Sequence, residues 1–259
     1  MSNKYMVKVA VVALLALILV FGYFSFVNDG MGEEEEKVEH EQTEEIETER
    51  GEEEKIVIGV TLPSDAADYQ EELGDYIKNL GIKDEECELN LQYAQWDVEK
   101  QQEQMREFIE EEVDAIILCP VNAKSFLNVL RDARNAGIPV INLNMKVDTV
   151  SSEYIATYVG SSSSEQAALA AELVIDYFDG REGKVGIIEG APGSDPAIYR
   201  TQTFLEEVNT YPNIEVVGII CGQWSRNTAG LAAMDLLNRD DEIDLIYCHD
   251  SNMAMGAYE

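Results

Sequence analysis

The chain has 259 residues, with 51 Asp and Glu against 18 Lys and Arg, and a formal net charge of −33. Residues 33 to 55 carry −10 of this and residues 56 to 259 carry −24, so the region able to build a core is itself strongly acidic. Such a surface repels phosphate backbones and anionic headgroups, which excludes nucleic-acid binding, and at roughly 100–200 residues per domain the length allows one or two domains.

Lys4 and Lys8 precede Val9 to Val27, nineteen residues without a charge. As a helix at about 1.5 Å per residue this run spans about 28 Å, close to the thickness of a bilayer core. Positive residues before it and glutamates after it predict a cytoplasmic start and an extracytoplasmic domain. Residues 1–28 are therefore expected to form a single-pass anchor in the cell membrane. The rival reading is a cleaved signal peptide releasing a secreted or periplasmic product, although its apolar region usually runs to about 7–15 residues and an A-x-A pattern is missing here. Residues 29–55 lack aromatics and carry 13 Glu. Such a segment cannot bury enough apolar surface to order itself, and like-charge repulsion extends it into an acidic linker.

From Lys55 a βα rhythm begins. KIVIGVTL reads as a strand, DYQEELGDYIKNLG as a helix closed by Gly81, and ELNLQYAQW as an alternating strand. Asp97 is placed to cap the next helix, which carries Val98, Met105, Phe108 and Ile109 at helical spacing. VDAIILCP is a buried strand, AKSFLNVLRDARNAG a helix ended by Gly137, and IPVINLN and YIATYVG are strands. Ser162 and Glu165 then fit a capping box opening a further helix. The rhythm repeats with strands GKVGIIEG, IEVVGIIC and IDLIYC around helices that begin near Pro196 and Arg226.

Near-continuous apolar strands alternating with helices predict parallel sheets covered on both faces. The count of strands before and after Gly160 predicts two doubly wound, Rossmann-like α/β domains, over 56–160 and 161–259. In such sheets ligands sit beyond the C-terminal strand ends. Those ends are rich in Asp, Asn, Gln and Trp, as in Gln95-Trp96-Asp97, Asn142-Leu143-Asn144, Gln223-Trp224 and His249-Asp250. Carboxylates and amides bind hydroxyls, and indole faces stack on apolar ring faces, a chemistry suited to a neutral polyol. The same side chains serve equally well as helix caps, so each such position has two readings.

The four cysteines have neither C-x-x-C nor Cys-His zinc spacing, and three of them end apolar strand runs, which predicts free thiols. With only His40 and His249, no metal site or Ser-His-Asp set is expected, and GAPGSD is not a dinucleotide fingerprint. The sequence therefore predicts no enzyme and no cofactor.

DVEKQQEQMREFIEEEVDAIILCPVNA, AGIPVINLN, EGAPGSDPAIYRTQTF and IYCHDSNMAMGA, in this order and spacing, resemble the type I periplasmic sugar-binding proteins, the ribose- and galactose-binding group. The resemblance implies two α/β domains that close on a sugar in the cleft between them. It implies a solute-binding protein serving an ABC permease, or a sensory ectodomain working with a histidine kinase on a sugar or another small ligand. Its implied ligand contacts are Asp65 and Tyr69 in the first loop, Asn144 where the family commonly has Asp, Asp195 and Arg200 in the galactose-type loop, Trp224 as a stacking ring, and Asp250 where the family usually has Asn. Met145 stands where ribose binders have Arg, a departure that argues against ribose. Family members continue beyond NMAMGA, so the resemblance also implies a second domain that stops short of its full set of strands.

Overall fold

The computed structural model describes residues 55–66, 68–83 and 87–259. The expected anchor over 1–28 and the linker over 29–55 lie outside the described residues, apart from Lys55. No helix among the described residues is long and apolar enough to cross a membrane.

Two parallel sheets organise the chain. The first has the order β2-β1-β3-β4-β5 and comprises β1 (Ile56–Leu62), β2 (Cys87–Tyr93), β3 (Ala115–Leu118), β4 (Val140–Leu143) and β5 (Thr157–Val159). The second has the order β7-β6-β8 and comprises β6 (Gly183–Glu189), β7 (Ile214–Cys221) and β8 (Leu245–Cys248). The helices are α1 (Asp68–Lys83), α2 (Val98–Glu110), α3 (Leu127–Ala136), α4 (Ser163–Phe178), α5 (Asp195–Val208), α6 (Arg226–Arg239) and α7 (Ser251–Tyr258). The chain passes from one sheet to the other between β5 and α4.

Both faces of each sheet are covered, as near-continuous apolar strands require. In the first lobe α2 and α3 bury Met105, Phe108, Phe126 and Leu130 against one face, while Ile58, Val60 and Leu62 point into the other beneath Ile77 of α1. Each such side chain contributes about 1.5–3 kcal/mol through area removed from water. Gly59 is required here, because a Cβ would lie 2.5 Å from the Phe108 ring. In the second lobe α4 and α5 close over Val185 and Ile187, and α6 with α7 close over Ile188. Phe204 stacks on Tyr247 with centroids 4.2 Å apart.

Three boundaries differ from the sequence expectation. α1 runs through Gly81 to Lys83, because this glycine keeps an ordinary helical φ; its missing Cβ instead makes room for Leu89 of β2. α3 begins at Leu127 and not at Ala123: Asn122 Oδ1 accepts from Lys124 N and Ser125 Oγ, both at 2.9 Å, and holds a turn there. YIATYVG yields only the three-residue β5, after a 3-10 turn over Ser151–Tyr154. The caps fall where predicted: Asp97 accepts from Lys100 N at 3.0 Å and Ser162 from Glu165 N at 3.2 Å. The four cysteines, all among the described residues, form no disulfide.

Candidate functional site: the cleft between the sheets

Parallel strands point their C-terminal ends to the same side, and in this chain the two sheets aim those ends at one another. A cavity of about 510 Å³ lies between them. It is lined by Tyr69, Trp96 and Asn144 from the first lobe and by Arg200, Trp224 and Asp250 from the second.

Buried amides hold the first lobe's strand ends in place. Gln101 Nε2 donates to Cys119 O at 2.9 Å and to Thr61 Oγ1 at 3.2 Å, while its Oε1 accepts from Val121 N at 2.9 Å. Gln104 Nε2 donates to Tyr93 O at 3.0 Å and Oε1 accepts from Thr61 Oγ1 at 2.7 Å. Two side chains of α2 thereby tie β1, β2 and β3 together, and every polar atom in the network is satisfied, as burial demands. Asn142 does the same for β4: Nδ2 donates to Leu118 O and Met145 O, and Oδ1 accepts from Val147 N. This fixes the turn in which Asn144 takes φ 59° and enters the lining. Asn is among the few residues that adopt this left-handed region at modest cost.

Arg200 is a fixed cation of the second wall, which Arg226 also lines. Its Nη1 donates to His249 O and its Nη2 to Gln166 Oε1, both at 2.6 Å, and the guanidinium lies 6.0 Å from the Trp224 ring centroid. Burial pulls it below the ordinary guanidinium range, opposed by Tyr247, Asp250 and Asp195. Trp224 packs over Gly190, where a Cβ would lie 1.9 Å from Cζ2; its indole N–H finds no acceptor among the described residues. Asp250 lines the cavity and also caps α7, its Oδ1 accepting from Met253 N at 2.7 Å.

His249 is buried behind this wall. Nδ1 accepts from Gly190 N at 3.3 Å, which leaves the proton on Nε2, 3.3 Å from Thr201 Oγ1; that hydroxyl donates to Glu189 Oε2 at 2.8 Å. Burial, with the Arg200 charge, pushes its pKa down to about 3, so the ring is neutral and holds the strand end.

Five of the seven residues implied by the resemblance therefore share one cavity: Tyr69, Asn144, Arg200, Trp224 and Asp250. The other two do not line it. Asp65 is exposed, and its Oδ1 accepts from Gln95 Nε2 at 2.7 Å; that bond holds its carboxyl below the usual range. Asp195 is 2% exposed and sits behind the lining, where its Oδ2 accepts from Ser163 Oγ at 2.7 Å and ties α4 to α5. Burial raises its carboxyl, an effect the Ser163 bond, Lys146 and Arg200 counter. Trp96 and Gln166 line the cavity and were not picked out as contacts from the sequence. Trp96 was detectable, because Gln-Trp occurs twice, each time at a strand end.

The periplasmic binding protein domain model matches residues 58–259, which is most of the chain. The chain belongs to this family. The galactofuranose-binding protein of Escherichia coli (strain K12) is 27% identical to this family member over 175 residues, 66% of this chain and 55% of the relative. The structure of an ABC transporter solute binding protein from Bacillus halodurans C-125 with bound myo-inositol is 28% identical, with a TM-score of 0.74 over 80% of this chain and 71% of that one. The fructose binding periplasmic domain of a hybrid two component system is 25% identical, with a TM-score of 0.70 over 78% of this chain and 66% of that one. This periplasmic binding protein domain thus has the type I α/β fold. The chain spans between 55% and 66% of the length of the first curated relatives it matches.

Proposed function

We propose that this chain builds the ligand cleft of an extracytoplasmic solute-binding protein that holds a neutral monosaccharide or similar polyol, for ABC-type uptake or for sugar sensing. Residues 56–160 and 161–259 act as its two domains, and the apolar segment within residues 1–28 tethers it to the membrane. Its task is binding, not turnover. The carrying observation is the 510 Å³ cavity at the facing strand ends, which combines the aromatic Tyr69, Trp96 and Trp224 with the polar Asn144, Arg200 and Asp250. Cavities of about 300–1,000 Å³ with apolar walls and a few convergent polar groups are the usual form of small-molecule sites. The galactofuranose and myo-inositol named for its relatives support a polyol. A sensory role with a histidine kinase draws support from the hybrid two component system among the structural neighbours.

The test is calorimetric titration of the full chain in detergent with galactofuranose, fructose, ribose and myo-inositol, repeated on Asp250→Ser. Serine keeps the cap on α7 but removes the carboxylate. Losing a charge-assisted hydrogen bond weakens binding by roughly 10–150-fold. An unmodified chain that binds none of these ligands, or an Asp250→Ser chain with unchanged affinity, overturns the reading.

A further inference from the structure

The chain's two tryptophans line the same cavity and occupy equivalent places in the two lobes. Trp96 follows β2 and Trp224 follows β7, each strand being the outer neighbour of its sheet's first strand. The surrounding backbone repeats as well. Ala94 N donates to Leu62 O at 2.9 Å, and Gly222 N to Glu189 O at 2.7 Å. Gln95 and Trp96 have φ 58° and 61°, and Gln223 and Trp224 have φ 58° and 56°. Asp97 and Ser225 then cap the following helices. Left-handed backbone at two successive bulky residues is disfavoured and persists only where the surroundings over-determine it.

Trp224 packs over Gly190, within the second lobe's apolar cluster. Trp96 packs against both apolar clusters of its own lobe and also against the opposite lobe's cluster, which holds Ile188, Ala197 and Trp224. The lobes also touch directly: Ala123 N donates to Gly193 O at 2.9 Å, and a Cβ on Gly193 would lie 2.3 Å from Asn122 Nδ2.

We infer that Trp96 is a positioning residue that latches the two lobes together and couples that contact to occupancy of the cavity. Separating the lobes strips the indole of the packing on its far side, whereas a ligand in the cavity rests on a wall that exists only when the ring is seated. The ligand half of this inference rests on the cleft reading above; the latch half does not.

The experiment is hydrogen exchange of the full chain in detergent, followed at the Ala123 amide, which is protected by a bond across the lobes, and at β1 as an internal control. Affinity for galactofuranose, fructose, ribose and myo-inositol is measured in parallel. Trp96→Ala is expected to speed exchange at Ala123 without ligand by roughly three- to tenfold, the worth of a lost aromatic contact, with β1 unchanged and affinity reduced by a similar factor. Trp96→Phe should recover most of both. Unchanged exchange at Ala123 in Trp96→Ala overturns the latch, whatever the titrations give; faster exchange with unchanged affinity overturns the coupling. A chain that binds none of the four ligands defeats the cleft reading and its coupling but leaves the ligand-free exchange to decide the latch. If Trp96→Ala also speeds exchange in β1, Trp96→Leu replaces it, keeping apolar bulk in its own lobe without the reach of the indole, and the same readings decide.

Discussion

The two lobes begin with the same plan and diverge in how well they cover it. β2-β1-β3 and β7-β6-β8 have the same order, and their ends match position by position. Cys119 N donates to Thr61 O as His249 N donates to Ile188 O. In the first lobe, β3 and β4 are buried throughout and most of β1 is buried. In the second only β6 is comparable; β7 is largely half-buried, as its counterpart β2 is, and β8 is half-buried where its counterpart β3 is fully buried. The second lobe also exposes Leu169, Leu173, Leu231 and Met234 on α4 and α6, each more than 60% accessible. A shared strand order therefore does not confer a shared core: burial depends on what packs against the outer faces.

The largest expected effects come from matched core deletions. Phe108→Ala and Phe204→Ala each remove a fully buried ring, one per lobe, and each should cost about 3–5 kcal/mol. Lobe-resolved hydrogen exchange reads the difference. Faster exchange in β1 and β3 for Phe108→Ala, and in β6 and β8 for Phe204→Ala, is the expected pattern. Loss of protection in both lobes from either variant would break the comparison and make the chain one cooperative unit.

A smaller effect separates the twin positions Cys119 and His249, both buried neutral. His249 stays unprotonated in the fold down to about pH 3, while an unfolded chain takes up the proton near 6.5. Between those values the unfolded state binds more protons, so stability falls as pH drops below 6.5, by up to about 1.4 kcal/mol per pH unit and roughly 2 kcal/mol at pH 5. Burial pushes the Cys119 thiol up to about 12 against an ordinary 9.0, so its contribution runs the other way and is lost as pH rises above 9. Urea midpoints at pH 7.5 and 5.0 should diverge less for His249→Asn than for the unmodified chain, while Cys119→Ala should leave that interval's pH dependence intact. Equal pH dependence in all three would remove the contrast.

The smallest effect sharpens the helix starts. Asp97→Ala and Ser225→Ala each remove an N-cap worth about 1 kcal/mol. Asp97, with its 3.0 Å bond, should matter more than Ser225 at 3.4 Å. Thermal unfolding of the two variants side by side checks the order.

Much of this fold was legible because it is written in local signals. Apolar runs of strand length, helical spacing from Val98 to Ile109, and caps at Asp97 and Ser162 depend on nearest neighbours along the chain, so the βα alternation and the parallel sheets could be read directly. The cleft residues were legible in part, because strand ends in such sheets converge wherever the chain places them. Tertiary packing decided the rest. Gly81 ends no helix: it keeps a helical φ, and Leu89 of β2 fills the space its missing Cβ leaves. Asp65 and Asp195 stand near the strand ends, yet Gln95 and Ser163 engage their carboxylates outside the lining. Trp96 packs against an opposing lobe that no local pattern encodes. A sequence specifies which side chains stand at a strand end; which of them face a neighbour, a ligand or the opposite lobe depends on surfaces brought together from distant parts of the chain.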